Sequence, residues 1–114
     1  MKNIIITVIL AIAFISGAAA QNPVVEKTVA VHGDCDMCKL RIEKTASYVK
    51  GVKKASWDKD QQQLTVIYRE DKTTLAAIEE AIAKAGYDTE HVKANEEAYE
   101  KLPECCHYRT SEKH

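Results

Sequence analysis

"VHGDCDMCKLRIEKTA", residues 31–46, holds the two cysteines Cys35 and Cys38, three apart, where one residue pattern gives way to another. Upstream, "VVEKTVAVH" (24–32) alternates, with Val25, Lys27, Val29 and Val31 on one side. That period of two marks a strand with one face suited to a core. Downstream, "CKLRIEKTASYV" (38–49) lines up Cys38, Ile42, Thr45, Ala46 and Val49. That is the stripe of an amphipathic helix, and Gly51 stops it. The cysteines therefore sit at a strand-to-helix turn. Both sulfurs can face one small volume there. The unpaired N–H groups and dipole of the helix start favour the thiolate, the form that binds metal.

Outward from this junction the pattern repeats in mirrored order. "VKKASWD" (52–58) reads as a second strand with Ala55 and Trp57 on one side. A polar turn at 58–62 leads to "QLTVIYR" (63–69), whose Leu64, Val66 and Tyr68 share a face, so the two form a hairpin. "DKTTLAAIEEAIAKAG" (71–86) is a helix capped by Thr73 or Thr74, striped by Leu75, Ile78, Ile82 and Ala85, and ended by Gly86. "YDTEHVKA" (87–94) reads as a last strand. "NEEAYEKL" (95–102) is a short helix capped by Asn95 and broken by Pro103, ahead of "ECCHYRT".

The order predicts an α+β chain with the ferredoxin-like βαββαβ sandwich. A four-stranded antiparallel sheet would carry two helices on one face and a short C-terminal helical tail. That topology brings the turn at 33–37, the hairpin tip at 58–62 and the Gly86–Tyr87 step to one end of the sheet.

The chain has 114 residues. Its first 20 read as a secretory signal: Lys2, an apolar run from Ile4 to Ile15, and Ala18-Ala19-Ala20 as a cleavage pattern. The expected division is a signal peptide at 1–20, one domain at 21–94 and a tail at 95–114. The destination is secreted or periplasmic, with cleavage near Ala20. Of the 16 basic residues only Lys2 falls in the signal, leaving 15 against 17 acidic. No basic excess points to nucleic acid. No catalytic constellation and no phosphate-binding glycine loop is present, so the chain is not expected to be an enzyme.

The Cys35–Cys38 spacing admits three chemistries. Two thiolates suit a soft ion that takes few ligands, such as Cu(I) or Hg(II). A Zn(II) site normally has four ligands, so the pair is half of one. A thiol–disulfide oxidoreductase also uses CxxC. Here, however, Asp36 and Met37 stand between the cysteines, and a neighbouring carboxylate opposes thiolate formation. A structural disulfide is the third reading, since exported chains with an even cysteine count often form them.

Three features in step with that order carry a resemblance: the Cys35–Cys38 pair opening a helix, "GV" at 51–52, and "AGY" at 85–87. On these the chain resembles the heavy-metal-associated (HMA) domain family, which includes copper chaperones, periplasmic mercury-binding proteins and modules of metal-pumping ATPases. The resemblance covers about residues 24–93. It implies that Cys35 and Cys38 are the primary ligands of a soft heavy-metal ion, passed on by ligand exchange. Cu(I) is favoured; Zn(II), Cd(II) and Hg(II) are alternatives. The implied partners are the ion and a membrane metal transporter or ATPase, with the chain a monomer or a metal-bridged dimer.

Departures from the family pattern name further candidates. The family commonly has a methionine two positions before the first cysteine; here it is Gly33, with His32 before it and Met37 between the cysteines. His32 is thus a candidate extra ligand. Asp34 stands where relatives serving zinc, cadmium or lead carry a ligating aspartate, while Asp36 is the better-placed helix cap. Met37 and Tyr87 are expected beside the metal turn without binding the ion. Cys105 and Cys106, with His107, are open to three roles: joining the Cys35–Cys38 site, forming a separate or intermolecular one, or pairing in disulfides. A strand carrying the chain about 20 Å away and a helix returning about 12 Å leave Cys105 just within reach.

Overall fold

The computed structural model describes residues 23–109. The expected signal segment lies outside them. No helix among the described residues is long and apolar enough to cross a membrane.

The elements are β1 (Val24–Ala30), α1 (Asp36–Ser47), β2 (Val52–Asp58), β3 (Gln63–Arg69), α2 (Leu75–Lys84), α3 (Glu96–Glu100) and a 3₁₀ turn at Glu104–Cys106. The sheet has the order β1-β3-β2, with β3 antiparallel to both neighbours. Its register sets Val29 and Trp57 opposite Leu64 on either side. The alternating positions Val29, Leu64, Val66, Tyr68 and Trp57 are buried. Onto that face pack Cys38, Ile42 and Ala46 of α1 and Ile78 and Ile82 of α2, the residues the helical spacing selects. Each large apolar side chain buried this way contributes about 1.5–3 kcal/mol.

The fourth strand expected at 87–94 does not form. It is reduced to a single antiparallel bridge, Val31 to Thr89, with His32 N–H donating to Asp88 O (2.9 Å) and Glu90 N–H to Ala30 O (2.9 Å). Short polar side chains compete with the ladder for backbone groups. Asp88 Oδ1 accepts from Ala94 N (2.8 Å), and Thr89 N–H donates to Val92 O (2.9 Å), curling the segment into a turn. The buried Glu79 holds that turn from beneath, accepting from Thr89 Oγ1 (2.7 Å) and His91 N (2.9 Å). The chain thus runs only a few residues away from the cysteine end before it turns back, and the tail starts closer than the extended strand would have left it.

Gly86 makes the next step possible. Its φ is +110°, a left-handed conformation that favours glycine. A Cβ there would stand 3.0 Å from Ala98 O and 3.2 Å from Leu102 Cγ, so the glycine also lets α3 approach. Asn95 caps α3 as the sequence suggests, its Oδ1 accepting from Ala98 N at 2.9 Å. Tyr99, Leu102 and Cys106 then join the core.

Candidate metal centre

The β1–α1 turn is held by three bonds at the same end of the sheet. Val31 N–H donates to Gln62 O (3.1 Å), Gly33 N–H to Gln62 Oε1 (3.1 Å), and Trp57 Nε1 to Val31 O (2.9 Å). The hairpin tip thus meets the turn, as the topology requires. The Trp57 indole also fills the space above Gly33, where a Cβ would lie 3.0 Å from two ring carbons. Any side chain at this position would press on that ring and on Ile42, which would have to give by a few tenths of an ångström, and the glycine avoids that crowding.

Cys35 is the residue that starts α1, in extended conformation and with no side-chain cap bond. Asp36, the expected cap, is instead the first helical residue. Its carboxylate lies 3.9 Å from Lys59 Nζ, on an exposed surface. Cys38 falls in the first helical turn and is fully buried, while Cys35 is half-buried. Their sulfurs are 3.7 Å apart, and all four cysteines are free thiols.

The tail brings both of its cysteines to this turn. Cys106 Sγ is 3.9 Å from Cys35 Sγ. The sulfurs of Cys35, Cys105 and Cys106 lie within 4.8 Å of one another. Cys106 is fully buried, and Cys105 is exposed, with its Sγ 4.0 Å from Met37 Sδ. Metal–thiolate bonds of about 2.3 Å in a trigonal arrangement place sulfurs about 4.0 Å apart. The 3.7 and 3.9 Å separations from Cys35 to Cys38 and to Cys106 are therefore close to two of the three sulfur–sulfur spacings such an ion requires.

The thiols are electrostatically unequal. Burial pushes Cys35 up, but the N–H groups of Cys38 and Met37 and the thiols of Cys105 and Cys38 bring it below its ordinary value. Burial, then the neighbouring Cys38, holds Cys106 well above it. Cys105 is also raised, first by its contact with Cys35. Cys35 thus forms its thiolate more readily than Cys105 or Cys106. Tyr87 is fully buried against Cys106; burial, then Cys38, keeps it a neutral phenol. Its hydroxyl has no hydrogen-bond partner among the described residues, and its nearness favours a thiolate at Cys106.

Three other candidates stand apart from the sulfurs. His32 is exposed and Asp34 half-buried; they line a polar depression with Lys59, Gln62 and Tyr108. The His107 ring packs on Tyr99, with centroids 5.0 Å apart. Among the described residues none of the three belongs to the group of mutually close ligand atoms.

The sequence reading missed what anchors the tail. Tyr108 stacks on Tyr87 at 5.9 Å, donates to Gly86 O (2.9 Å) and accepts from Asp88 N (2.8 Å). Arg109 grips the Asp88 carboxylate with two bonds, 2.9 and 3.2 Å, and reaches Glu96 at 3.1 Å. Its guanidinium lies 4.4 Å over the Tyr99 ring. The available signal was the spacing of Tyr99, Leu102 and Cys106, three and then four apart, which is a buried face continued into the tail.

Comparison with known proteins agrees with this architecture. The model of the heavy-metal-associated domain matches residues 28–88, just over half of the chain. The copper chaperone CopZ of Staphylococcus haemolyticus is 34% identical over 65 residues, covering 56% of this chain and 96% of that protein. The crystal structure of oxidized MerP from Ralstonia metallidurans superposes with a TM-score of 0.56 at 30% identity, covering 58% of this chain and 93% of that one. The Cu(I)-loaded N-terminal domain of a potential copper-translocating P-type ATPase from Bacillus subtilis gives a TM-score of 0.54 at 27% identity, covering 57% and 82%. With that family's model matched over residues 28–88, more than half of the chain, the chain belongs to the heavy-metal-associated domain proteins.

Proposed function

We propose that this protein binds Cu(I) through the thiolates of Cys35, Cys38 and Cys106 and carries it, outside the cytoplasm, to a membrane metal pump. The observation that carries the reading is the approach of the buried Cys106 sulfur to 3.9 Å from Cys35, beside a Cys35–Cys38 pair 3.7 Å apart. Three soft sulfurs in a partly buried turn suit Cu(I) better than Zn(II), which wants four ligands. Hg(II) and Cd(II) are chemical competitors for the same sulfurs. The relatives named as a copper chaperone and as a Cu(I)-loaded ATPase domain support both the ion and the class of partner. The N-terminal signal pattern supports an extracytoplasmic location.

The test is anaerobic competition of the reduced protein against a chromophoric Cu(I) chelator, with Zn(II), Cd(II) and Hg(II) in parallel. Saturable Cu(I) binding that Cys35→Ala with Cys38→Ala abolishes is the expected result. A protein that binds no soft ion, yet exchanges disulfides with a thiol substrate through Cys35, would instead be a thiol–disulfide oxidoreductase.

A further inference from the structure

The three-sulfur site leaves two soft donors unused, and they lie next to each other. Cys105 Sγ and Met37 Sδ are 4.0 Å apart, and Cys105 Sγ lies within 4.8 Å of Cys35 Sγ. Cys105 and Cys106 are adjacent in sequence, yet one is exposed and the other fully buried. The 3₁₀ turn therefore presents its two sulfurs at different depths around Cys35.

We infer that the centre is binuclear: an inner Cu(I) on Cys35, Cys38 and Cys106, and an outer Cu(I) on Cys35, Cys105 and the Met37 thioether. The inference rests on the Cu(I) reading above. Two three-coordinate ions sharing one ligand need five donors, and five soft donors stand here. Cys35 stands at 3.7 Å from Cys38, 3.9 Å from Cys106 and within 4.8 Å of Cys105, and unlike Cys106 it is only half-buried, so it is assigned as the bridge between the buried and the exposed position. Thiolate and thioether sulfur both select Cu(I) over harder ions. A neutral thioether suits the outer position, where a fifth thiolate would add charge. Loading releases the thiol protons to solvent and moves no electrons, because both ions enter and leave as Cu(I).

The two positions differ in access, which gives them different work. Cys38 and Cys106 are fully buried, so the inner ion is retained. Met37 is 45% exposed and Cys105 is at the surface, so the outer ion is open to an incoming ligand. The outer position is the place of exchange, and a partner's thiolate can reach it without opening the tail.

The experiment is Cu(I) titration with native mass spectrometry of the monomer, on the full chain and on Cys105→Ser, Met37→Leu and Cys38→Ser. Both outer residues are exposed, so these substitutions do not threaten the fold. The expected result is a monomer with two Cu(I), a copper–copper shell in X-ray absorption, and one Cu(I) in Cys105→Ser. Met37→Leu should keep both ions but weaken the second on the order of 10-fold, the low end of what a lost supporting partner costs. A wild-type monomer that saturates at one Cu(I), or a Cys105→Ser variant that still takes two, overturns the inference. If the single Cu(I) of such a monomer is lost in Cys38→Ser, the mononuclear function stands while the binuclear centre falls. If the wild-type chain takes no Cu(I), both fall.

Discussion

The two cysteine pairs reach the same few ångströms by different physics. Cys35 and Cys38 are placed by secondary structure: a strand ends, a helix starts, and i to i+3 spacing turns both sulfurs to one side. Cys105 and Cys106 lie on a three-residue 3₁₀ turn with little structure of its own. They are placed by packing, through Tyr99 and Leu102 in the core and the Tyr108–Arg109 latch on Gly86, Asp88 and Glu96. The first pair is built into the domain and cannot be withdrawn without unfolding it. The second is held by a strap that can be loosened one contact at a time. The contrast makes the turn the binding element and the tail the adjustable one.

The most severe way to break the comparison is at the turn. Cys35→Ala with Cys38→Ala should abolish saturable Cu(I) binding while circular dichroism stays that of the folded domain. Truncation after Leu102 removes Cys105, Cys106 and the latch together. It should lower Cu(I) affinity by about 10–100-fold, at least the effect of losing a supporting partner, and leave the turn able to bind weakly. Unchanged affinity in the truncated chain would show the tail to be a bystander.

A smaller effect separates tail docking from ligand chemistry. Gly86→Ala forces a side chain into a left-handed conformation and against Ala98 O, 3.0 Å from the new Cβ. The expected loss is about 1–3 kcal/mol of stability, read as a lower thermal midpoint. Arg109→Ala removes charge-assisted bonds to Asp88, whose side chain is 23% exposed, and to Glu96. It should cost about 1–2 kcal/mol and speed Cu(I) release to a chelator, with a smaller change in equilibrium affinity.

The smallest effect is acid release of the same strap. Burial pushes the Asp88 carboxyl up, but the Arg109 guanidinium and the Ala94 N–H together hold it below its ordinary value. A depressed carboxyl stabilises the fold fully above its unfolded pKa, about 3.9. That contribution fades as the pH falls through the lower folded value. Unfolding followed across that window should show part of the acid sensitivity disappear in Asp88→Asn. An identical acid profile in that variant would remove Asp88 from the latch.

The body of the fold was legible because each of its elements carries a period. Val29, Leu64 and Val66 alternate, Ile42 and Ala46 or Ile78 and Ile82 fall four apart, and all of them are buried. The segment 87–94 has no such period. Its fate is decided by Asp88 and Thr89, which spend their side chains on nearby backbone, so a strand reading was the wrong one. At the site, the cysteine turn and the nearness of Tyr87 followed from element order alone. The approach of Cys106 did not, because reach permits a contact that only tertiary packing can require. The crowding of residue 33 by Trp57 was equally hidden, being a contact between two positions 24 apart in sequence.

Copper K-edge X-ray absorption on the full chain loaded with one equivalent of Cu(I) tests the central claim most directly. Three sulfur neighbours at trigonal distances, falling to two in Cys106→Ser, is the outcome expected if the tail completes the site. A linear two-sulfur ion in the full chain, unaltered by that substitution, would contradict it.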